Sequence, residues 1–430
     1  MDRLHLFPDT TCIKNEKLVI AGCDLSTLAD EYGTPLYVYD RVTLETATSI
    51  YQRTLKSSYP GKANITYASK AFLCLAMAQW VQKHNLWIDC TGSGELTIAV
   101  RAGVSREHIL VHGVNKSPDD LEAAVQYAGT IVVDNPTELD RLSHLSHKFS
   151  LPSLWLRFRP GNTVDSHAYT QTGQVDSKFG MAWDEILHAG KLCREHDLPL
   201  RGIHFHQGSH FRDPSPLGFG IERSLDLAQE LSLGEVWSLC PGGGWGVAYH
   251  EDDLPQPSIK LYVRFITENV ITKCKTRGLP LPRLHLEPGR SIAARAGVAI
   301  YRVGAIKQTI NRTWLLIDGG MADNPRHALY GSHYSALPIR QPERNNTERV
   351  WIAGPYCESS DVLIENLPFP KIETGELIAV PTSGAYHLSM ASNYNGALRP
   401  TVLWLQNSRA RVIQEREKLE NLFCRDLGID

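Results

Sequence analysis

The sequence predicts an α/β protein: a (β/α)8 barrel with a second, β-rich C-terminal domain that also takes in the N-terminal segment. Three observations lead there. Between about residue 60 and residue 290, short apolar and partly β-branched runs alternate with stretches of helical period. Eight such runs occur, the number that closes a parallel barrel. After Glu287 the texture changes to strand-like runs with turn residues between them and little helical periodicity.

In chain order, Leu18-Val19-Ile20 and Pro35-Leu36-Tyr37-Val38-Tyr39 are expected to add strands to the β-rich domain. The barrel strands are expected at Ile65–Ala68, Leu86–Asp89, Ile109–His112, Thr130–Asp134, Leu154–Phe158, Gly202–His206, Val236–Leu239 and Leu284–Glu287. Helices are expected between them at Phe72–His84, Pro118–Ala128, Pro136–Lys148, Trp183–His196 and Ile259–Thr276. Pro118 before two aspartates, and Pro136 before Thr137-Glu138, suit first helical turns, where a missing N–H costs little and acids favour the dipole. Later strands are expected at Val298–Val303, Trp314–Ile317, Val350–Ile352, Leu377–Val380 and Val402–Leu405, an exposed loop at Ser335–Glu348, and a peripheral charged helix at Ala410–Leu422. The division is therefore a barrel over residues 46–295 and a β-rich domain made of 1–45 and 296–430.

Composition sets the outer bounds. The 430 residues carry 44 basic and 47 acidic side chains, a formal net charge of -3, so no nucleic-acid footprint is expected. At 42% hydrophobic and 21% charged, the chain can bury a large core. No apolar run approaches the ~18 residues of a membrane span, and the start, Met1-Asp2-Arg3-Leu4-His5-Leu6-Phe7-Pro8, does not read as a secretory signal. Nine scattered cysteines without a C-x-x-C pair argue for reduced thiols and a cytoplasmic location.

Residues that carry chemistry gather at the C-terminal ends of the expected strands: Lys70, Asp89, His112, Arg157, His206, the glycines after Cys240, and Glu287. In a (β/α) barrel those ends line one mouth. Lys70 is either an ordinary solvated lysine or an amine whose proton affinity a dry mouth depresses, so that it condenses with an aldehyde. Pro241-Gly242-Gly243-Gly244-Trp245-Gly246 is either a flexible turn or a set of amides that wraps a phosphate. Glu287 either pairs with Arg290 or faces the nitrogen of a heterocycle and keeps it protonated. His204 and His206, two apart on a strand, share a face. They suit zinc ligands, a stacking surface or satisfied core histidines; with no third ligand at a recognisable spacing, a metal ranks last and none is expected.

Taken together, Tyr67-Ala68-Ser69-Lys70, Asp89-Cys90-Thr91-Gly92-Ser93-Gly94-Glu95-Leu96, His112-Gly113-Val114-Asn115-Lys116, Ser177-Lys178-Phe179-Gly180, His204-Phe205-His206-Gln207-Gly208-Ser209, Gly242-Gly243-Gly244, Glu287-Pro288-Gly289-Arg290, Cys357-Glu358-Ser359-Ser360-Asp361 and Gly384-Ala385-Tyr386 closely resemble the fold-type III pyridoxal phosphate decarboxylases, the group acting on ornithine, diaminopimelate and arginine. The resemblance runs in order from about Leu28 to Pro400. It implies an alanine-racemase-like barrel, pyridoxal 5'-phosphate as cofactor, and a homodimer with shared active sites. It implies that Lys70 holds the cofactor, that His206 stacks on its ring, and that Glu287 pairs with its nitrogen. Asp89 falls in the cofactor set, Arg157 near the ring hydroxyl, and Ser209, Gly243, Gly244, Arg290 and Tyr386 around the phosphate. Cys357 and Glu358 would reach across from the partner subunit, Cys357 as the acid that protonates Cα.

The substrate expectation rests on fewer residues. Arg326 and Tyr330, in Asp318-Gly319-Gly320-Met321-Ala322-Asp323-Asn324-Pro325-Arg326 and the residues after it, resemble the pair that takes a distal carboxylate; a guanidinium fork suits that group. Glu358 would take a distal ammonium, and Arg290 and Tyr386 also belong to the substrate set. The reaction implied is decarboxylation of meso-2,6-diaminopimelate to L-lysine. The alternative is a related decarboxylase for another basic or carboxylated amino acid, such as ornithine, arginine or a polyamine or secondary-metabolite precursor. His327, where the family commonly has proline, is a departure beside the specificity residues.

Overall fold

The computed structural model describes residues 2–161, 174 and 176–429. The chain separates into two compact units: one of Thr48–Gly246 with Pro257–Ser291, the other of residues 1–47, Val247–Gln256 and 292–430.

In the first unit eight parallel strands close a barrel: Ala63–Ala68, Trp87–Cys90, Ile109–Val111, Thr130–Val133, Ser153–Phe158, Leu200–Phe205, Ser238–Cys240 and Arg283–Leu286. Closure is made by the last strand on the first, Leu286 opposite Ile65, and extends past the strand ends, where Ala68 N–H donates to Pro288 O at 3.3 Å. The eight expected strands are all present. The seventh begins later than expected because Val236 is exposed, and Trp237 is anchored instead by its indole N–H on Pro280 O.

Two intervening helices start at the prolines that predicted them. Ser117 caps Pro118–Tyr127 in a reciprocal box with Asp120, and Asn135 caps Pro136–Ser146. The expected helix from Phe72 instead begins at Leu75. Lys70 lies on a separate 3-10 turn, Ser69–Ala71, and Phe72 is extended, its carbonyl taken by the Tyr67 hydroxyl at 2.8 Å. Helices Ser93–Arg101 and Leu217–Glu230 complete the alternation.

The second unit is built on the strand Gly297–Gln308, which pairs antiparallel with Leu36–Asp40, Leu377–Val380 and Thr313–Ile317 along its length. The N-terminal segment thus enters this sheet, where Leu36–Asp40 also pairs in parallel with Thr401–Gln406. Leu36, Val38, Val298, Ile300, Leu337, Ile339, Leu377 and Leu403 form the core on one face.

Two expectations are corrected here. The Ala410–Leu422 helix is not formed: Arg409–Gln414 is a strand hairpinned on Thr401–Gln406, because Asn407 and Ser408 take positive φ of 51° and 58°, a two-residue turn that favours a hairpin. Only Leu419–Phe423 is helical. The Ser335–Glu348 loop is exposed only from Arg340 onward; Ser335–Ile339 is buried, and Leu337–Pro338 pairs with the strand Leu377–Val380. The strand Val362–Phe369 was not foreseen, since Asn366, at φ 53°, and Pro368 interrupt its apolar pattern.

Candidate active site

The end of the barrel where the strands finish collects buried acids, each held by a base. Asp89, in the last half of the second strand, lies 2.8 Å from Nε2 of His112, which follows the third. Asp134 follows the fourth strand and pairs at 2.9 Å with Arg157 in the fifth. Glu138 pairs at 2.8 Å with Lys116, which also donates to two backbone carbonyls. Burying such charges singly would cost several kcal/mol each, so the pairing is what lets the rim be dry.

Glu287, just past the last strand, is 5% exposed and lies 3.0 Å from Nε2 of His204. Burial acts to push its carboxyl up, but His204, His112 and the ammonium of Lys70 outweigh this and hold it well below the usual carboxylate range. Burial likewise pushes His204 down, so the pair is a carboxylate accepting from a neutral imidazole. The other carboxylate oxygen, Oε1, is buried without a hydrogen-bond partner among the described residues. A buried anion with an unfilled oxygen has room for one more donor.

His206 sits one residue beyond the sixth strand, its Nδ1 accepting the Gly243 N–H at 3.2 Å. Burial and then the charges of Lys70 and Arg157 push it well below its ordinary value, which keeps the ring neutral. The same causes bring Lys70, Glu287 and His206 into one electrostatic neighbourhood. Arg157 is committed to Asp134 on one side and stacks 4.6 Å over the Phe179 ring on the other.

The glycine turn is rigid. Gly244 holds φ +96°, and a Cβ there would fall 2.2 Å from Gly208 O; a Cβ on Gly243 would fall 1.9 Å from Glu287 O. Gly208 leads into Ser209, whose hydroxyl accepts from Nη2 of Arg290 at 3.1 Å. The turn therefore presses against both the Glu287 backbone and the segment bearing a guanidinium and a hydroxyl.

The remaining predicted residues belong to the second unit. Arg326 opens the short helix Arg326–Tyr330, is 6% exposed, and donates through Nε to the Tyr334 hydroxyl at 2.9 Å and through Nη2 to Ser332 Oγ at 3.2 Å. Its guanidinium faces the rings of Tyr249, Tyr330 and Tyr386 at 5.2, 5.6 and 5.8 Å. Tyr386 takes φ 61°, a left-handed conformation uncommon for an aromatic residue and of the kind that clusters at functional sites. Cys357 and Glu358 are exposed on the turn after the strand Glu348–Ala353, where Cys357 N–H donates to Asn395 Oδ1 at 2.9 Å. His327 contacts Ser332 O through Nδ1 at 3.1 Å.

Sequence reasoning missed Tyr249, Tyr334 and His387; the adjacency of His387 to Tyr386 was the available signal. It also found no third ligand at a recognisable spacing from His204 and His206, whereas donor atoms of His112, His204 and Glu287 all lie within 4.8 Å of one another. Folding brings them together from three strand ends, and two of these donors already face each other across the His204–Glu287 contact.

The barrel end offers an amine at Lys70, an open carboxylate oxygen at Glu287, and a glycine turn beside Ser209 and Arg290. Pyridoxal phosphate carries an aldehyde, a ring nitrogen and a phosphate that fit these three, the complement expected of a pyridoxal phosphate enzyme of the barrel class. The family model described as "Pyridoxal-dependent decarboxylase, pyridoxal binding domain" matches residues 47–294. Over 98% of its length the chain is 36% identical to the diaminopimelate decarboxylase of Synechocystis sp., covering 93% of that protein. It is 38% identical to that of Bacillus subtilis, with 95% of each chain covered. The solved diaminopimelate decarboxylase of M. jannaschii in co-complex with L-lysine superposes with a TM-score of 0.90 at 30% identity, covering 98% of each chain. The chain belongs to the pyridoxal-dependent decarboxylases, and its cofactor is pyridoxal phosphate. Among the described residues, no helix is long and apolar enough to cross a membrane.

Proposed function

We propose that this protein removes carbon dioxide from meso-2,6-diaminopimelate to give L-lysine, the last step of lysine biosynthesis, as a cytoplasmic homodimer. The observation that carries the substrate is Arg326, a buried guanidinium ringed by tyrosines and braced by Tyr334 and Ser332. A fixed, planar cation of this kind matches a carboxylate and rejects the ammonium that ornithine would bring. The names of the relatives point to the same substrate.

Bound pyridoxal phosphate supplies an electron sink for the pair left when carbon dioxide departs. Lys70 holds the cofactor, and Glu287 keeps a negative charge beside its nitrogen. His206, kept neutral by burial, would bring no charge to its ring, and Asp89 and Arg157 would fix the rim around it. Ser209, Gly243, Gly244, Arg290 and Tyr386 hold the phosphate. Arg326 and Tyr330 take the distal carboxylate and Glu358 the distal ammonium; Arg290 and Tyr386 also border the substrate. Cys357 delivers a proton from Sγ to Cα. Cys357 and Glu358, exposed in the single chain, are suited to serve a partner's site.

Purified protein supplied with pyridoxal phosphate should be yellow and should release lysine and carbon dioxide from the diacid; Lys70→Ala should be colourless and inactive. A colourless wild type would refute the reading. A yellow enzyme that decarboxylates ornithine in preference to the diacid would refute the substrate alone.

A further inference from the structure

Behind Arg326 runs a buried chain of hydrogen bonds that the reaction does not itself use. Arg326 Nε lies 2.9 Å from the Tyr334 hydroxyl, which lies 2.8 Å from Nε2 of His387. Nδ1 of His387 lies 3.4 Å from the Tyr37 hydroxyl, and Tyr37 and Tyr301 both donate to Oδ2 of Asp323, at 2.8 and 2.5 Å. Arg326, Tyr334, His387, Tyr37, Tyr301 and Asp323 are all buried.

Counting protons gives this chain one direction. Arginine only donates, so Tyr334 accepts from it, and its own hydroxyl is placed to donate to Nε2 of His387. In that arrangement His387 is the neutral Nδ1–H tautomer, which donates to Tyr37 and leaves Tyr37 free to donate onward. Asp323, whose Oδ1 accepts Gly320 N–H at 2.9 Å, is the terminal acceptor. Burial pushes its carboxyl up to about 6 against these hydrogen bonds, so it is anionic at neutral pH. Each hydroxyl and the imidazole between Arg326 and Asp323 then has an acceptor in line, as a buried polar network requires to be rigid.

We propose that Tyr334 and His387 are positioning residues that set the guanidinium of Arg326 for the distal carboxylate of the substrate. His387 follows Tyr386 directly, so one network braces two of the residues assigned to substrate. The proposal rests on the reading of Arg326 as the carboxylate anchor, and the test separates the two.

The measurements are kcat and KM on meso-2,6-diaminopimelate, and inhibition by two probes: L-2-aminopimelate, which keeps the distal carboxylate, and L-lysine, which lacks it. Tyr334→Phe should raise KM for the diacid and weaken aminopimelate roughly ten-fold, the size of one lost hydrogen bond to a charged group. Inhibition by lysine should stay within about two-fold, kcat within about three-fold, and bound-cofactor absorbance unchanged, since no contact to those groups is removed. His387→Gln should move in the same direction by a smaller factor, and Arg326→Ala by a larger one. If Arg326→Ala weakens aminopimelate but neither Tyr334→Phe nor His387→Gln does, the positioning role is wrong and the anchor stands. If Arg326→Ala leaves aminopimelate unchanged, the anchor itself is wrong. Equal weakening of lysine and aminopimelate in the brace variants, or failure of both to fold, would assign the network a purely structural role and overturn the proposal.

Discussion

Replacing Glu287 by glutamine changes one oxygen into an amide nitrogen at a buried acid of the barrel end. The substituted amide can still accept from His204 through its one oxygen, at the 3.0 Å of the native contact, but the position of Oε1 would then hold a donor. Two losses follow. A charge-assisted hydrogen bond is worth about 1.5–3 kcal/mol against about 0.5–1.5 for a neutral one, so cofactor retention should weaken by roughly ten-fold. Turnover should fall further, because the fixed negative charge is lost where positive charge must be held during reaction; removing one such preorganised group typically costs about 10²–10³ in kcat. The assay is carbon dioxide release with saturating cofactor, alongside absorbance after gel filtration to read retention. Saturating cofactor removes the first loss and leaves the second. A Glu287→Gln enzyme that retains cofactor normally and turns over within about three-fold of wild type would refute the assignment of Glu287 and the electrostatic argument behind it.

Gly244→Ala should abolish cofactor retention and lower the thermal midpoint, by at least about 3 kcal/mol of stability, since positive φ and a Cβ 2.2 Å from Gly208 O act together; Gly234→Ala, at φ +77° with open space, should cost only about 1 kcal/mol by the same thermal assay. His285, buried against Trp87 and Trp155, is pushed down to about 3 by burial. The unfolded chain therefore takes up a proton below about pH 6.5 that the folded barrel refuses, and stability falls as the pH drops from there. At pH 5 the loss is about 1.5 pH units at ~1.36 kcal/mol each, or roughly 2 kcal/mol, which His285→Leu should remove from the pH dependence of its denaturation midpoint relative to wild type. Cys357→Ala should slow turnover and alter the product ratio in heavy water while leaving cofactor absorbance intact; unchanged kcat would remove Cys357 from the chemistry.

The barrel was legible because its signals are local. Each strand is a short apolar run that stops at a polar, reactive residue, and Pro118 before Asp119-Asp120 and Pro136 before Thr137-Glu138 mark helix starts. The misread segments are those where tertiary pairing decides. Arg409–Gln414 carries two arginines and reads as a charged helix, yet Thr401–Gln406 offers it a ladder and Asn407-Ser408 the turn. Ser335–Ile339 lies in a polar window, but its five residues are buried by the strand Leu377–Val380, which no local pattern announces. The site divides the same way. Lys70, Glu287 and the glycine turn stand at strand ends and could be named. The braces, His204 on Glu287 or Tyr334 and His387 behind Arg326, join residues 83, 8 and 53 positions apart and have no signature in the chain.

Those braces explain why so many charged residues can be packed at one end of the barrel. Asp89 with His112, Asp134 with Arg157 and Glu138 with Lys116 join groups from neighbouring strands or their loops, and Glu287 with His204 reaches across the seventh strand, past the buried thiol of Cys240. A buried pair adds little net stability against an apolar replacement, while loss of one partner costs about 3–5 kcal/mol. The pairs are therefore poor devices for holding the barrel together and good ones for fixing charge. Among these four acids, Glu287 is the one whose partner is an imidazole that burial keeps neutral and whose second oxygen is open. Its negative charge is thus met by a neutral ring and the nearby Lys70 ammonium rather than by a bonded guanidinium or ammonium, whereas the arginine and lysine pairs neutralise Asp134 and Glu138 in place.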